Sequence, residues 1–152
     1  MNRILIDANL MCLVVAGLFA PALVGQHKRL RAFTPADFDA VYAIISNYQE
    51  VATCPHVLTE TSNLLAYTDE SKAHTLLSGL RTLLDRMTEI SIAATQAMER
   101  AEYIRLGLTD AVLLSLRDQP ADLLTVDLGL TLAAQRAGIN VRNYNWLRDA
   151  RQ

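Results

Sequence analysis

Cysteine, lysine and tryptophan are scarce in this sequence. Its 152 residues include the cysteines Cys12 and Cys54, the lysines Lys28 and Lys72, and the tryptophan Trp146. No cysteine or histidine pair has zinc-binding spacing, which excludes a structural zinc site. Cys12 sits in an apolar run and Cys54 precedes Pro55, so both read as unpaired thiols of a reducing cytoplasm. A strongly basic balance is also missing, because 14 Lys and Arg stand against 16 Asp and Glu. The chain therefore does not coat nucleic acid by bulk charge, whereas an enzyme with local contacts stays open. There is no internal repeat, low-complexity tract or Pro/Gly/Ser-rich linker. With 51% hydrophobic residues and a net charge of −2, disorder is excluded. The length suits a single domain over 1–152. Such a domain buries roughly 70% of its unfolded surface and needs no staple to fold.

Long hydrophobic runs are lacking as well. The apolar stretch Leu10 to Val24 falls short of the roughly 20 residues of a membrane-spanning helix. Ala20-Pro21-Ala22 resembles a signal-peptidase site, but Asp7 and Asn9 break the region before it. A buried first helix accounts for the same residues, and the expected location is cytoplasmic.

Short strands and amphipathic helices alternate along the chain. Ile4-Leu5-Ile6 reads as a buried strand ending at Asp7, with Asn9 as N-cap of a helix that stops near Pro21 or Gly25. Gln26 to Arg31 is a basic loop or helix end. Thr34 caps a helix with Pro35 at its first position and Phe38, Val41, Ile44 and Ile45 at helical spacing. Further helices start at Pro55, with Val57, Leu58, Leu64 and Leu65 on one face, and at Asp69 or Ser71. Ile90 to Ile92 is expected as a strand and Ala93 to Leu106 as a helix ended by Gly107. Another helix begins at Thr109 or Asp110 and stops before Pro120. Leu123 to Val126 reads as a strand, Leu130 to Ala137 as a helix stopped by Gly138, and Ile139 to Arg142 as a strand. This last unit is a βαβ crossover, which makes its strands parallel. The fold class that follows is α/β, a small and mostly parallel sheet covered by helices.

Two of these strands end on aspartate, Asp7 and Asp127. Parallel strands point their carboxyl ends at one edge, where ligands bind. Carboxylates gathered there repel unless a cation lies between them, and hard divalent cations take oxygen ligands. Glu60 falls on the margin of the apolar face of its helix, and Asp110 opens a helix after Gly107-Leu108-Thr109. Taken singly, Asp110 and Asp127 read as helix caps, Asp7 as a turn residue and Glu60 as a solvated boundary residue. A phosphatase of the haloacid dehalogenase type needs a second Asp where Asn9 stands, together with a suitable lysine. A response-regulator receiver needs a strand-end lysine, and Lys28 and Lys72 suit neither. His27, His56 and His74 lack partners for general acid–base work.

Ile4-Leu5-Ile6-Asp7-Ala8-Asn9, Val57-Leu58-Thr59-Glu60, Gly107-Leu108-Thr109-Asp110-Ala111 and Leu123-Leu124-Thr125-Val126-Asp127, in that order, resemble the PIN domain. In size and order the chain looks most like the VapC-type ribonuclease toxins of bacterial toxin–antitoxin pairs, over nearly its whole length. The resemblance implies a three-layer PIN-like fold. It implies that Asp7, Glu60, Asp110 and Asp127 are catalytic and hold Mg²⁺ or Mn²⁺ for hydrolysis of RNA phosphodiester bonds. Asn9 and Thr125 match polar residues that orient a carboxylate or a metal-bound water. A homodimer and a small antitoxin covering the acidic site are implied as well. Lys28, Arg29 and Arg31 are candidate RNA contacts, and the apolar helices 10–23 and 38–45 are either docking surfaces or core.

The sequence also departs from the pattern. The stretch from Asn9 to Pro55 is long for the smallest toxins, which suggests a helical insert around 27–48. Leu128-Gly129-Leu130 stands where relatives often carry another polar or acidic residue, leaving Asp37 and Asp39 as the nearest spare acids. A PIN nuclease of RNA processing or decay, or a PIN-like interaction module without catalysis, are the alternatives.

Overall fold

The computed structural model describes residues 2–116 and 121–151. Its strands are β1 (Arg3–Ile6), β2 (Glu50–Thr53), β3 (Thr88–Glu89), β4 (Asp122–Thr125) and β5 (Val141–Asn143). They form one sheet in the order β3-β2-β1-β4-β5, and every adjacent pair is parallel. The central strand β1 sets Leu5 beside Ala52 on one side and Leu123 on the other. The helices are α1 (Ala8–Phe19), α2 (Pro35–Ser46), α3 (Pro55–Leu65), α4 (Glu70–Leu84), α5 (Ala94–Met98), α6 (Tyr103–Leu106), α7 (Leu108–Ser115), α8 (Leu128–Arg136) and α9 (Tyr144–Asp149). α1 packs against α2, α3 and α4, while α7 meets α5, α6 and α8. The result is a three-layer α/β sandwich.

A parallel sheet covered by helices buries both faces of its strands, which therefore read as continuous apolar runs. Ile4, Leu5, Ile6, Leu123 and Leu124 are all buried accordingly. α1 is buried nearly all round, from Leu10 to Ala16, so the long apolar run belongs to the core. Among the described residues no helix is long and apolar enough to cross a membrane. Two glycines let helices approach closely. A Cβ on Gly17 would overlap the Phe38 ring of α2, and one on Gly79 of α4 would stand 2.6 Å from the Phe19 ring of α1. Cys12 and Cys54 are both buried and free, and burial pushes the Cys12 thiol up to about 12.

The structure corrects several expectations, although the segment around 27–48 is helical, as expected. It holds a 3₁₀ turn at Lys28–Leu30 and then α2, which is the crossover leading into β2. β2 itself was not foreseen. The strand expected at Ile90 to Ile92 lies earlier, at Thr88–Glu89. The helix expected from Ala93 to Leu106 is two short ones, α5 and α6. α9 is additional, and the helix expected to stop before Pro120 is α7, which ends at Ser115. Thr34 does cap α2, in a reciprocal box with Asp37: the Thr34 N–H donates to Asp37 Oδ2 at 2.8 Å and the Asp37 N–H to Thr34 Oγ1 at 3.3 Å. Asp37 also accepts from the Tyr144 hydroxyl (2.6 Å) and from Arg148 (3.3 Å), which ties the start of α2 to α9. These bonds make Asp37 a structural clasp.

Candidate active site

The chain leaves β1 for β2 and β3 on one side of the sheet and then returns to β4 and β5 on the other. The carboxyl ends of β1 and β4 thus flank the point where strand order reverses, the place where open α/β sheets form a crevice. Asp7 directly follows β1, and Asp127 lies just past β4. Each caps the helix that follows. Asp7 Oδ1 accepts the Leu10 N–H at 3.0 Å, and Asp127 Oδ1 accepts the Leu130 N–H at 2.7 Å. Asp7, not Asn9, is therefore the cap of α1. The N-termini of α1 and α8 both face the crevice, where their dipoles favour negative charge. Thr125 joins the two acids: its hydroxyl donates to Asp7 Oδ2 and accepts the Asp127 N–H at 3.0 Å. The Val126 N–H adds a bond to Asp7 Oδ2 at 3.0 Å.

Glu60 arrives from the second turn of α3 and Asp110 from the first turn of α7. The Thr109 hydroxyl donates to Glu60 Oε1 at 2.8 Å and so links those two helices. The carboxyl of Asp110 is pushed up to about 7, by burial first and then by the negative charges of Asp127, Glu60 and Asp7. The other three acids thus lie near enough for their charges to be felt at Asp110. Asp7 is also raised. Burial outweighs its hydrogen bonds from Thr125, Leu10 and Val126, and the charge of Asp127 adds to the shift. Among the described residues, no salt bridge neutralises any of the four.

The donor chemistry suits a hard divalent cation, because every candidate ligand is a carboxylate oxygen. Asp110 makes no side-chain hydrogen bond among the described residues, and Asp127 and Glu60 each engage one oxygen through their side-chain bonds, leaving the other for a ligand. As they stand, no three acidic, histidine or cysteine side chains among the described residues are drawn close enough to hold an ion.

Solved structures share this fold. The crystal structure of PAE2754 from Pyrobaculum aerophilum matches over 99% of this chain and 97% of that chain, with a TM-score of 0.59 and 15% sequence identity. At that identity the similarity concerns the fold alone. No family model and no curated protein matches the sequence.

The other expected residues divide. Thr125 touches two of the acids directly. Asn9 is exposed on the first turn of α1, and its side chain bonds to none of the acids among the described residues. Lys28, Arg29 and Arg31 are exposed and form no ion pair with the acids; Lys28 and Arg29 lie over Tyr67 instead. Thr109, the Val126 N–H and Asn145 were not foreseen. Asn145 Nδ2 donates to the Val126 carbonyl at 3.4 Å and so steadies the backbone beside Asp127. The signal for Thr109 was its place next to Asp110. Asn145 had none, because α9 was not read from the sequence. Gly129 fills the position where a further acid was sought. A Cβ there would stand 3.1 Å from Leu106 and 3.3 Å from Asp127 Oδ1, so any side chain crowds the crevice.

Proposed function

We propose that this chain is a Mg²⁺- or Mn²⁺-dependent endoribonuclease of the PIN kind, acting as the toxin of a type II toxin–antitoxin pair. The observation that carries the reading is the convergence of Asp7, Glu60, Asp110 and Asp127 on one crevice without a neutralising salt bridge among the described residues. A structural role alone gives little reason to half-bury the Asp110 carboxyl among three other acids, where burial first and their charges second raise it to about 7. The RNA substrate, the antitoxin and the homodimer rest on the motif resemblance. A cytoplasmic location goes with an RNA substrate and two free cysteines.

Asp7, Glu60, Asp110 and Asp127 would hold the ion. When bound, it supplies hydroxide near neutral pH and offsets negative charge on the phosphodiester. The protein's own residues prepare the place. Thr125 fixes the Asp7 carboxylate with its hydroxyl and positions the Asp127 backbone with its oxygen. Thr109 orients Glu60. The Leu10 and Leu130 N–H groups hold one oxygen each of Asp7 and Asp127.

The test is cleavage of end-labelled RNA by the chain freed of any partner, with Mg²⁺ or Mn²⁺, with EDTA, and with Asp7→Asn. Cleavage that EDTA and a folded Asp7→Asn variant both abolish is the expected result. Full activity in the folded variant would sink the assignment. Manganese titration by calorimetry tests the non-catalytic module, which binds no metal at these acids. Growth arrest on expression, relieved by a small neighbouring gene, separates a toxin from a nuclease of RNA processing or decay.

A further inference from the structure

The four acids repel a polyanion, so a strand of RNA needs attraction from elsewhere on the surface. Both lysines of the chain, Lys28 and Lys72, line a single concavity of about 540 Å³ together with Tyr67 and His27. Tyr67 is 53% exposed. The Lys28 Nζ lies 4.8 Å and the Arg29 guanidinium 5.0 Å from its ring centre. The ring thus holds two cations. Lys72 is held in turn by Asp69 at 3.1 Å, in an exposed pair. His27 is buried and fastens the Lys28–Leu30 turn to the end of α3. Its Nδ1 accepts the Arg29 N–H at 3.1 Å, and its Nε2 bonds the Leu65 carbonyl at 3.1 Å.

The concavity lies within reach of the crevice. Tyr67 lies seven residues beyond Glu60 and two past the end of α3, roughly 10 Å on if the helical rise is extended to it. The segment after the basic turn leads to the start of α2. There Arg148 donates to the Ala32 carbonyl at 2.9 Å, and Tyr144 bonds Asp37. Both partners belong to α9, which leaves β5 at its carboxyl end, the edge that carries the acids.

We propose that Lys28, Arg29, Tyr67 and Lys72 form a cradle for the sugar–phosphate backbone of single-stranded RNA beside the acidic crevice. The ligand class rests on the ribonuclease reading. Cations grouped around an exposed aromatic ring make up the kind of surface that follows a single strand, with phosphates on the charges and a base against the ring. Strand held in the cradle fixes which phosphodiester reaches the acids.

The experiment is fluorescence anisotropy of a short labelled single-stranded RNA in EDTA, where binding is read without cleavage, from low to moderate salt. For wild type, affinity falls with salt by about 0.7 in log–log slope for each phosphate neutralised. The triple variant Lys28→Gln/Arg29→Gln/Lys72→Gln is expected to bind at least ~10-fold more weakly at low salt. Its slope should be shallower by about 1.4 to 2.1, because two or three phosphates no longer meet a cation. Tyr67→Leu is expected to weaken binding without reducing the charge. Arg81→Gln/Arg86→Gln/Arg136→Gln removes the same charge elsewhere on the exposed surface and is expected to stay near wild type. The proposal is overturned if the cradle variant keeps the wild-type slope, if the control loses as much, or if wild type fails to bind at low salt. A cradle built for an acidic protein segment would give the first of these results. Wild-type cleavage, measured separately, distinguishes the two readings. A cradle variant that loses slope in a chain with no metal-dependent cleavage leaves the RNA site standing and removes the ribonuclease.

Discussion

A single hydroxyl organises the acidic crevice. Thr125 serves Asp7 as a donor and Asp127 as an acceptor. Residues that hold metal ligands in place typically matter ~10–100-fold in affinity or activity when removed. Thr125→Val is therefore expected to weaken Mn²⁺ binding within that range, and Thr125→Ser to restore it; calorimetry reads both. Asp110 makes a second prediction, and its sign is definite. Its carboxyl stands at about 7 in the folded chain against an ordinary 3.8. Between those values the folded state keeps a proton that the unfolded chain has lost. In EDTA this group therefore stabilises the fold least at high pH, and its contribution declines as pH rises from about 4 to about 7. Urea unfolding at about pH 5 and about pH 8 should show the decline, and Asp110→Asn should flatten it. Manganese affinity should rise over the same interval, because the ion competes with that proton. The four acids stand out in the sequence because their order and flanking residues form a pattern. The hydroxyl bridge does not, since Thr125 and Asp7 are 118 residues apart and only the register of β1 with β4 brings them together.

Among the elements, α2 and α9 show what pattern reading misses. Phe38, Val41, Ile44 and Ile45 and the Thr34 cap announce a helix, but nothing local says that it carries the chain into a strand. β2 offers only Val51 and Ala52 as apolar residues between Glu50 and Thr53, too short a signal to stand out. The clasp between α2 and α9 depends on Asp37. Burial raises its carboxyl, but bonds from Tyr144 and Thr34 and the charge of Arg148 outweigh this and hold it below the ordinary value. Its contribution is present above the ordinary aspartate range and is lost as pH falls through the lowered value. Asp37→Ala removes the carboxylate half of the capping box, about 1 kcal/mol, and leaves the Tyr144 hydroxyl without its acceptor, while Arg148 keeps the Ala32 carbonyl and Asn145. A total loss of roughly 2–4 kcal/mol is expected in urea unfolding at neutral pH. The α1–α2 crossing makes a prediction of opposite character. Alanine favours helices over glycine by about 1 kcal/mol, yet Gly17→Ala is expected to destabilise by roughly 1–3 kcal/mol. The added methyl meets the Phe38 ring, and a lower urea midpoint at unchanged slope would show it.

At the scale of the molecule, a crevice of like charges weakens the metal-free fold, and a bound cation should relieve the repulsion. Manganese at ~100 times its dissociation constant is expected to add about 2.7 kcal/mol of stability. The accompanying rise in Tm should vanish with EDTA and in Asp110→Asn/Asp127→Asn. The α/β class was readable from the closing strand–helix–strand unit alone, because a βαβ crossover admits one handedness and one strand direction. The strand order was not, because pairing between distant segments leaves no local mark. That order also bears on how the protein is made. β1 lies between partners that come at residues 50–53 and 122–125. On the ribosome, Asp7 emerges long before the hydroxyl of Thr125, the N–H of Val126 and the carboxylate of Asp127. Until residues 122–127 have been synthesised, β1 has one bare edge and Asp7 has no Thr125 beside it. A polypeptide that stops short of them holds Asp7 without the Thr125 and Val126 bonds that fix its carboxylate.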